Sequence, residues 1–349
     1  MRKLWLVLIV AFICGEANAQ INRKSIKKNN KKIGSYRGAS NTFGRQKAYS
    51  AVGFSINALN YYGDLAPRPN RVSTDISFTK PGFGLSFMHR FGPRYTVLGT
   101  FMFGTLRGSD AVSANKDDLS NGIYRYKRNL AFRNQIKELS AVAILDLFKN
   151  DGNYIARVKW TPYVFVGIGV FAHQPKAQAP ATDLNGVALP QAGEWVKLRP
   201  LGTEGQYSTL EATDANAGIK PYGLFQAAIP FGIGARLRLN EVMDLWADIG
   251  FRYTFTDYLD DVSQNYVDLG VLNSDLARAM SYRTNELNLP TSTHTYTARN
   301  GQTYRVEAGY GEEFPDNMRG SKNDKDIYMV TSFRLTYIIG ATFHKAKFR

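Results

Sequence analysis

Residues 228–261, AIPFGIGARLRLNEVMDLWADIGFRYTFTDYLDD, contain two runs of alternating side chains separated by a short polar connection at Asn240 and Glu241. In each run every second residue is apolar, and the residues between them are small residues, arginines and aspartate. We call the two alternating sets the two parities of the run. A period of two places successive side chains on opposite faces of a β-strand. The stretch therefore predicts a hairpin of two strands with one apolar face and one polar face.

Six further runs show the same alternation, at residues 50–59, 82–91, 95–106, 136–148, 160–171 and 327–343. Short and long connections alternate strictly along the chain. Nothing in the topology of a soluble sandwich requires short and long connections to alternate, whereas a membrane barrel has short periplasmic turns and long extracellular loops. We therefore predict an all-β fold, an eight-stranded antiparallel up-and-down transmembrane β-barrel, with the apolar faces toward lipid and the polar faces toward the lumen.

The first residues have the features of a secretory signal peptide. A positive pair, Arg2 and Lys3, precedes the apolar segment 4–14, which is too short to span a membrane, and Ala17–Ala19 forms a small-residue cleavage site. Ile13 is too bulky for the usual lipoprotein signal before Cys14. We expect residues 1–19 to be cleaved and the mature chain to lie in the outer membrane of a Gram-negative cell.

Residues 20–48 differ from the rest of the chain. They are rich in lysine and arginine, and no acidic residue occurs between Gln20 and Gly63. Such a segment cannot bury enough apolar surface to fold alone. We predict a disordered periplasmic arm before a barrel domain at 49–349. The alternative is a docking arm for an acidic partner or a membrane surface, with Lys27, Lys28, Lys31 and Lys32 as the binding residues.

The lumen face of the predicted barrel carries charges of both signs. An eight-stranded barrel leaves an interior only wide enough for side chains, and buried charges persist only when they are paired. We expect a network of ion pairs that fills the lumen and leaves no aqueous pore. Its predicted members are Arg90, Glu138, Asp146, Arg236, Arg238, Asp248, Arg252 and Arg334.

Catalysis and metal binding find little support in the sequence. None of the four histidines has a recognisable serine or acid partner, so we expect no enzyme activity and no cofactor. The motif Asp257, Tyr258, Asp260 and Asp261 opens the longest loop. Its carboxylates could hold Ca²⁺, but no EF-hand spacing accompanies them, and they more often cap a strand or pair with arginine. The net charge of +15 is compatible with anionic lipid, lipopolysaccharide or acidic partners, and export argues against nucleic acid.

Three phrases together resemble the PorG family of outer-membrane barrels, a component of the type IX secretion system. They are NYYGDL at 60–65, PYVFVGIG at 162–169 and RYTFTDYLDDVS at 252–263. The resemblance covers the chain from about residue 51 onward, and related barrels share variants of FTDYLDDVS. It implies a non-catalytic barrel associated with a periplasmic ring of the PorK and PorN type, needed for export of proteins that bear a C-terminal secretion signal.

Two functions from different classes follow. The first is a barrel that anchors or contacts the periplasmic ring of the secretion machinery. The alternative is a general structural or surface barrel whose loops bind lipid or an external ligand. The residue pattern alone leads to the barrel and its contacts with outer-membrane lipid and lipopolysaccharide, while the secretion role rests only on the resemblance.

Overall fold

The computed structural model describes residues 47–66, 79–287, 292–322 and 324–339. The predicted signal peptide and residues 20–46 of the predicted arm lie outside the described residues. So do residues 340–343 of the last predicted strand.

Eight long strands run antiparallel and close into a barrel, as the sequence predicts. The strand bounds are β1 Tyr49–Tyr62, β2 Lys80–Arg90, β3 Tyr95–Ser109, β4 Ala131–Asp146, β5 Trp160–Ala172, β8 Phe225–Arg238, β9 Met243–Thr254 and β12 Ile327–Ile339. Around the wall the order is β3, β2, β1, β12, β9, β8, β5 and β4, and β4 then pairs with β3.

The two faces of the wall follow the parity of the sequence. Phe54 lies opposite Leu335 on one side and Leu85 on the other, and all three side chains are exposed on the outer surface. Their neighbours in the chain, such as Ser55 and Arg334, point inward and are buried. An apolar outer belt around a buried polar interior is the reverse of a soluble protein and is the arrangement that lipid requires.

The connections divide the barrel into two different ends. The short-turn end carries the connections 91–94, 147–159 and 239–242. The long-loop end carries the four remaining connections, of which 67–78, 288–291 and 323 lie outside the described residues. These long connections are 63–79, 110–130, 173–224 and 255–326.

The long loops contain further elements that the sequence pattern does not reveal. Strands β6 Pro175–Gln178 and β7 Trp195–Lys197 extend the sheet from the long-loop end of β4. The others are α1 Asp110–Ser113, α2 Gly122–Arg128, α3 Asp275–Ser281, the hairpin β10 Thr293–Thr297 with β11 Thr303–Glu307, and 3-10 turns at Arg199–Leu201, Leu269–Val271 and Thr284–Leu287. Among the described residues, no α-helix is long and apolar enough to cross a membrane.

Large aromatic side chains fill the lumen where glycines face them. Cβ atoms added to Gly234 and Gly250 would lie 2.5 Å from a ring atom of Tyr163 and 2.6 Å from a ring atom of Phe165, respectively. Tyr163 in turn packs edge-on against Trp246, with ring centroids 5.2 Å apart. The glycines on β8 and β9 therefore make room for the aromatic rings of β5.

The outer belt gives a first prediction. Leu85 lies in the middle of the belt and is 63% exposed, so Leu85→Lys should destabilise the barrel in a bilayer by about 2–4 kcal/mol. Leu119 is 78% exposed in a long loop, and Leu119→Lys should change the stability by less than about 0.5 kcal/mol. Urea unfolding in lipid vesicles, followed by tryptophan fluorescence, measures both. Equal unfolding midpoints for the two variants would contradict the assignment of the outer face.

Candidate functional site

The lumen near the short-turn end is organised around one buried carboxylate. Asp146 Oδ2 accepts hydrogen bonds from Arg90 at 2.6 Å and from Arg236 at 2.8 Å, and all three side chains are almost completely buried. Arg90 also donates to the carbonyl of Pro93, and Arg236 lies over the ring of Trp246. Two guanidinium groups thus share one acid, with a carbonyl and an aromatic face supplying further stabilisation.

A second ion pair closes the short-turn end. Arg157 belongs to the 147–159 turn, yet its side chain is buried and bonds Asp244 through both Nε and an NH₂ group, at 2.9 and 2.7 Å. It also donates to backbone carbonyls of its own turn and of the turn between β8 and β9. The inward parity of Asp244 is visible in the sequence. The alternation does not predict that Arg157 enters the lumen, because residues of a turn do not point alternately to two faces.

Two further acids occupy the middle of the lumen. Asp248 accepts from the Tyr163 hydroxyl at 3.0 Å and lies 3.6 Å from Arg334. Glu138 accepts from the Tyr328 hydroxyl at 2.7 Å and lies 3.5 Å from Arg252. Tyrosines carry no charge at neutral pH, so the pattern of charged residues in the sequence does not reveal that Tyr163 and Tyr328 belong to the network.

The structure brings together seven of the eight residues predicted for the lumen as buried charges. Arg238 differs from them. It lies at the end of β8, and its guanidinium donates to the carbonyls of Ile155 and Arg157, both at 2.9 Å, with no acid of the network as partner among the described residues. Its inward parity is shared with Arg236, but the strand ends there and the side chain meets a turn.

The lumen is packed with side chains. Trp246, Arg90, Tyr163, Tyr328 and Phe171 all have relative exposures below about 2%. A water-filled channel would leave such side chains accessible to solvent. The described barrel is therefore plugged by its own residues.

At the long-loop end, acids from the two ends of the 255–326 loop meet one tyrosine of β1. The hydroxyl oxygen of Tyr61 lies 2.7 Å from Asp260 Oδ2 and 2.6 Å from Asp326 Oδ1. A hydroxyl has one proton, so it can donate to only one of them. The other short contact needs a proton on the carboxyl group, which then donates to Tyr61. Asp64 and Asp257 lie close enough to act electrostatically on Asp326. We call Asp64, Asp257, Asp260 and Asp326 the acid cluster.

Burial determines the protonation of these acids. It raises the pKa of Asp257 to about 7, against a lowering by the hydrogen bond from the Ser263 hydroxyl. Burial also raises the pKa values of Asp260 and Asp326 well above their ordinary value, and the neighbouring acids raise both further. At neutral pH the acid cluster therefore retains protons.

Asp261, the last acid of the predicted loop motif, has a different role. Its carboxylate accepts from Thr203 and Tyr222, both at 2.6 Å, and Arg319 lies 3.9 Å away. Arg319 also bonds Glu204 at 2.9 Å, and all these groups are buried. Burial raises the pKa of Asp261 to about 6, while Arg319 opposes that change.

Further buried contacts join the remaining long loops to this region. Arg128 pairs with Asp110 at 2.7 Å and donates to the carbonyls of Asp64 and Arg319. Tyr258 stacks on Tyr222, with ring centroids 4.6 Å apart. The motif and Arg128 together join the described parts of all four loops over the barrel mouth.

The calcium alternative has no geometric support in the described part of the chain, where no group of three or more His, Cys, Asp or Glu residues is arranged to hold a metal ion. The histidines are also engaged. His173 is buried between Asn134 and the Gly223 carbonyl, and burial lowers its pKa to about 4. His89 contacts Ser50, and His294 lies 2.6 Å from Glu312. His344 lies outside the described residues.

A cleft of about 450 Å³ opens among the long loops. Arg299 crosses one wall and pairs with Asp214 at 2.5 Å and with Glu313 at 3.2 Å. Phe314 and Tyr296 supply apolar surface. The cleft could accept a small ligand with both polar and apolar parts.

The lumen network gives a second prediction. Asp146→Ala leaves Arg90 and Arg236 buried without their acid, so the variant should lose about 3–5 kcal/mol of unfolding free energy. The control is Asp151→Ala, which breaks a pair with Lys149 whose partners are 57% and 60% exposed. Exposed pairs contribute about 0–1 kcal/mol. Urea unfolding in vesicles measures both, and similar midpoints would contradict the role of Asp146.

The acid cluster gives a third prediction, on pH. Its acids have higher pKa values in the folded loops than in an unfolded chain, so the folded state binds more protons, and its stability should fall as pH rises through the folded values. For Asp257 the loss should begin near pH 4 and level off above about pH 7. Asp257→Asn, which keeps the oxygen that accepts from Ser263, should reduce the pH dependence.

Hydrogen exchange at pH 5 and pH 8, expressed as protection factors, tests this prediction. The amides of Leu259, Val262 and Ser263, which donate to buried acids, should lose protection at the higher pH. Amides within β4 and β5 serve as the internal control. Greater protection of the loop amides at pH 8 would show that these carboxyl groups are ionised in the folded state.

Part of the chain matches a known family, and the barrel is similar to solved structures. A domain of unknown function, DUF6089, matches residues 38–183. No curated protein matches the chain. Among solved structures, the chain is similar to Ail, the attachment invasion locus protein of Yersinia pestis, at 8% identity and a TM-score of 0.33, over 84% of this chain and 99% of that one.

Two further structures are similar at the same level. OprG from Pseudomonas aeruginosa is 9% identical, with a TM-score of 0.34 over 86% of this chain and 100% of that one. A major outer membrane protein from Thermus thermophilus is 11% identical, with a TM-score of 0.35 over 83% of this chain and 99% of that one.

Proposed function

We propose that this protein is a non-catalytic outer-membrane barrel that anchors or contacts the periplasmic ring of the type IX secretion machinery. The observation that carries the proposal is the plugged lumen. A barrel whose interior is filled by ion pairs and aromatic rings offers no conduit to a substrate, so its activity must lie on its outer wall or at its two ends. The resemblance in NYYGDL, PYVFVGIG and RYTFTDYLDDVS supplies the identity of the machinery.

Orientation follows from the connections. Outer-membrane barrels place short turns in the periplasm and long loops outside the cell. The short-turn end would then face the periplasmic ring, and the chain enters β1 at that end. Exposed side chains there include Arg94, Lys149 and Lys159, and the predicted basic arm precedes β1. Partners of the PorK and PorN type would meet a positively charged surface.

The loop motif supports this function indirectly. Asp257, Tyr258, Asp260 and Asp261 are buried or half-buried in contacts among the long loops and are not displayed to a partner. We infer that the motif keeps the outer mouth closed while the opposite end docks. A secretion component that spans the membrane must not let ions or solutes pass through its barrel.

A second candidate function is a surface barrel that binds an external ligand. The cleft between residues 213–215, 296–299 and 312–315 favours it, because this cleft faces the exterior in the same orientation. The two functions use opposite ends of the barrel. Variants confined to one end therefore separate them.

Deletion and co-purification test the secretion function. Cells that lack the protein should retain in the periplasm those proteins that bear a C-terminal secretion signal. The tagged protein, purified from solubilised envelopes, should carry the periplasmic ring proteins with it. Normal secretion by the deletion strain, with nothing co-purified, would leave the ligand-binding barrel as the function.

The plugged lumen can be tested separately in planar bilayers. The purified protein should insert without a steady conductance, because large side chains in the described lumen are buried against one another. Asp146→Ala, which releases two arginines, serves as a comparison in which transient openings should appear. A stable porin-like current from the parent would contradict the plugged lumen and with it the proposed function.

The basic arm gives a fourth prediction. Replacing Lys27, Lys28, Lys31 and Lys32 by Gln should leave barrel folding intact and should weaken recovery of a periplasmic partner, most strongly at low salt, where screening is weak. Co-purification at two ionic strengths measures this, with heat-modifiable gel mobility as the folding control.

The matched control neutralises four cations at the opposite end, with the substitutions Lys116→Gln, Lys220→Gln, Arg305→Gln and Lys322→Gln. This variant should recover the partner like the parent. Equal recovery by all three proteins at both salts would exclude the arm and move the contact to the short turns.

A further inference from the structure

Four cationic side chains lie in one cross-strand row on the outer wall near the long-loop end. Arg107 on β3 is opposite Arg133 on β4, Arg133 is opposite Lys176 on β6, and Lys176 is opposite Lys197 on β7. Residues that are paired across antiparallel strands point to the same face. Neighbouring strands are about 4.8 Å apart, so the row extends over about 14 Å. We call these four residues the cationic row.

The row continues directly from the apolar belt. Lys137 is the next charged residue along the outer face of β4, and it lies opposite Phe103 of the belt. Below Lys137 the outward residues of β4 are apolar, beginning with Leu139. At about 3.3 Å per residue, Arg133 lies about 13 Å further along the strand. This places Lys137 at the edge of the hydrocarbon layer and the row at head-group height.

No acid in the described part of the chain neutralises this row. Among the described residues, no ion pair includes any of its four members or Lys137, whereas each buried lumen acid has an arginine nearby. Glu194 lies next to Trp195, but it has the opposite parity and makes no ion pair with the row. Like charges placed directly opposite each other on a sheet are destabilising. A row of four positive charges would therefore be stabilised by anions from outside the protein.

One member of the row is held in place. The guanidinium of Arg133 lies over the ring of Trp195, 4.0 Å from its centroid, and the Nε atom of Arg133 is buried without a hydrogen-bond partner. The aromatic face fixes the plane of the guanidinium while leaving donors free. A planar, oriented guanidinium is well suited to bidentate binding of phosphate.

We propose that the cationic row and Lys137 bind the phosphorylated saccharide head group of lipopolysaccharide in the outer leaflet. The acyl chains would lie against the apolar belt around Phe103 and Leu139, Lys137 would meet the phosphates nearest the acyl chains, and the row would bind those further out. The proposal rests on the orientation given above, with the long loops outside the cell. It does not depend on the secretion role.

Native mass spectrometry of the purified full-length protein tests the proposal. The probe is rough lipopolysaccharide that carries its phosphates, compared with the same material after enzymatic dephosphorylation. The row variant combines Arg107→Gln, Arg133→Gln, Lys176→Gln and Lys197→Gln. A second variant, Arg107→Gln with Lys137→Gln and Lys197→Gln, changes only exposed side chains, in case the first does not fold. Heat-modifiable mobility reports folding.

We expect the parent to retain phosphorylated lipopolysaccharide and both variants to bind it at least about tenfold more weakly, because each lost cation removes an attraction to the anionic surface. Dephosphorylated lipopolysaccharide should bind the parent as weakly as the phosphorylated form binds the variants. The four-cation control variant in the long loops should bind like the parent, and millimolar inorganic phosphate should not displace the lipid.

Three results would overturn the proposal. Undiminished binding by a folded row variant would exclude the row. Equal affinity of the parent for phosphorylated and dephosphorylated material would exclude phosphate recognition. Displacement by inorganic phosphate would identify a site for free anions instead of a lipid site. None of these results bears on co-purification of ring proteins, so the two proposals can fail independently.

Discussion

Charge pairing inside a narrow barrel is the constraint on which the rest of the structure depends. An interior this small has no room for a hydration layer, so every charged side chain needs a protein partner. Asp146 serves two arginines, Asp244 holds Arg157, and Glu138 and Asp248 each combine an arginine with a tyrosine hydroxyl. The network spreads positive charge over acids, carbonyls and aromatic faces, which is how the lumen accommodates more arginines than acids.

Buried charge is also limited at the long-loop end, but there the acid cluster avoids it in a different way. In the acid cluster, no described ion pair includes any of the four acids, and protonation takes the place of ion pairing. Tyr61 lies between Asp260 and Asp326, and the short contacts require a proton on one of the carboxyl groups. The lumen is thus stabilised by ion pairs and the acid cluster by shared protons. The two ends should therefore respond differently to pH and to salt.

Parity along the strands was sufficient to predict the barrel, its strand number and the inward direction of residues such as Arg252. Parity did not predict the contacts of side chains at strand ends and in turns. Arg238 shares the parity of the lumen but meets a turn, and Arg157 comes from a turn and enters the lumen. The small elements in the long loops were missed because segments of three to seven residues have no period of their own. Contacts between distant loops, such as Arg319 with Glu204, have no local signal in the sequence.

Arg157 also has a consequence for how the barrel reaches its register. Strands β5 and β8 are neighbours in the wall, but the chain between them runs through the long 173–224 loop, which cannot by itself define their alignment. From the turn before β5, Arg157 donates to the carbonyls of Asn240 and Glu241 beyond the end of β8, and to the carboxylate of Asp244 at the start of β9. The hairpin of β4 and β5 and the hairpin of β8 and β9 are thereby aligned with each other. A slip of β8 by one residue would break these hydrogen bonds together, so this one side chain adds to the ladder a selection of the correct pairing at the seam between the two hairpins.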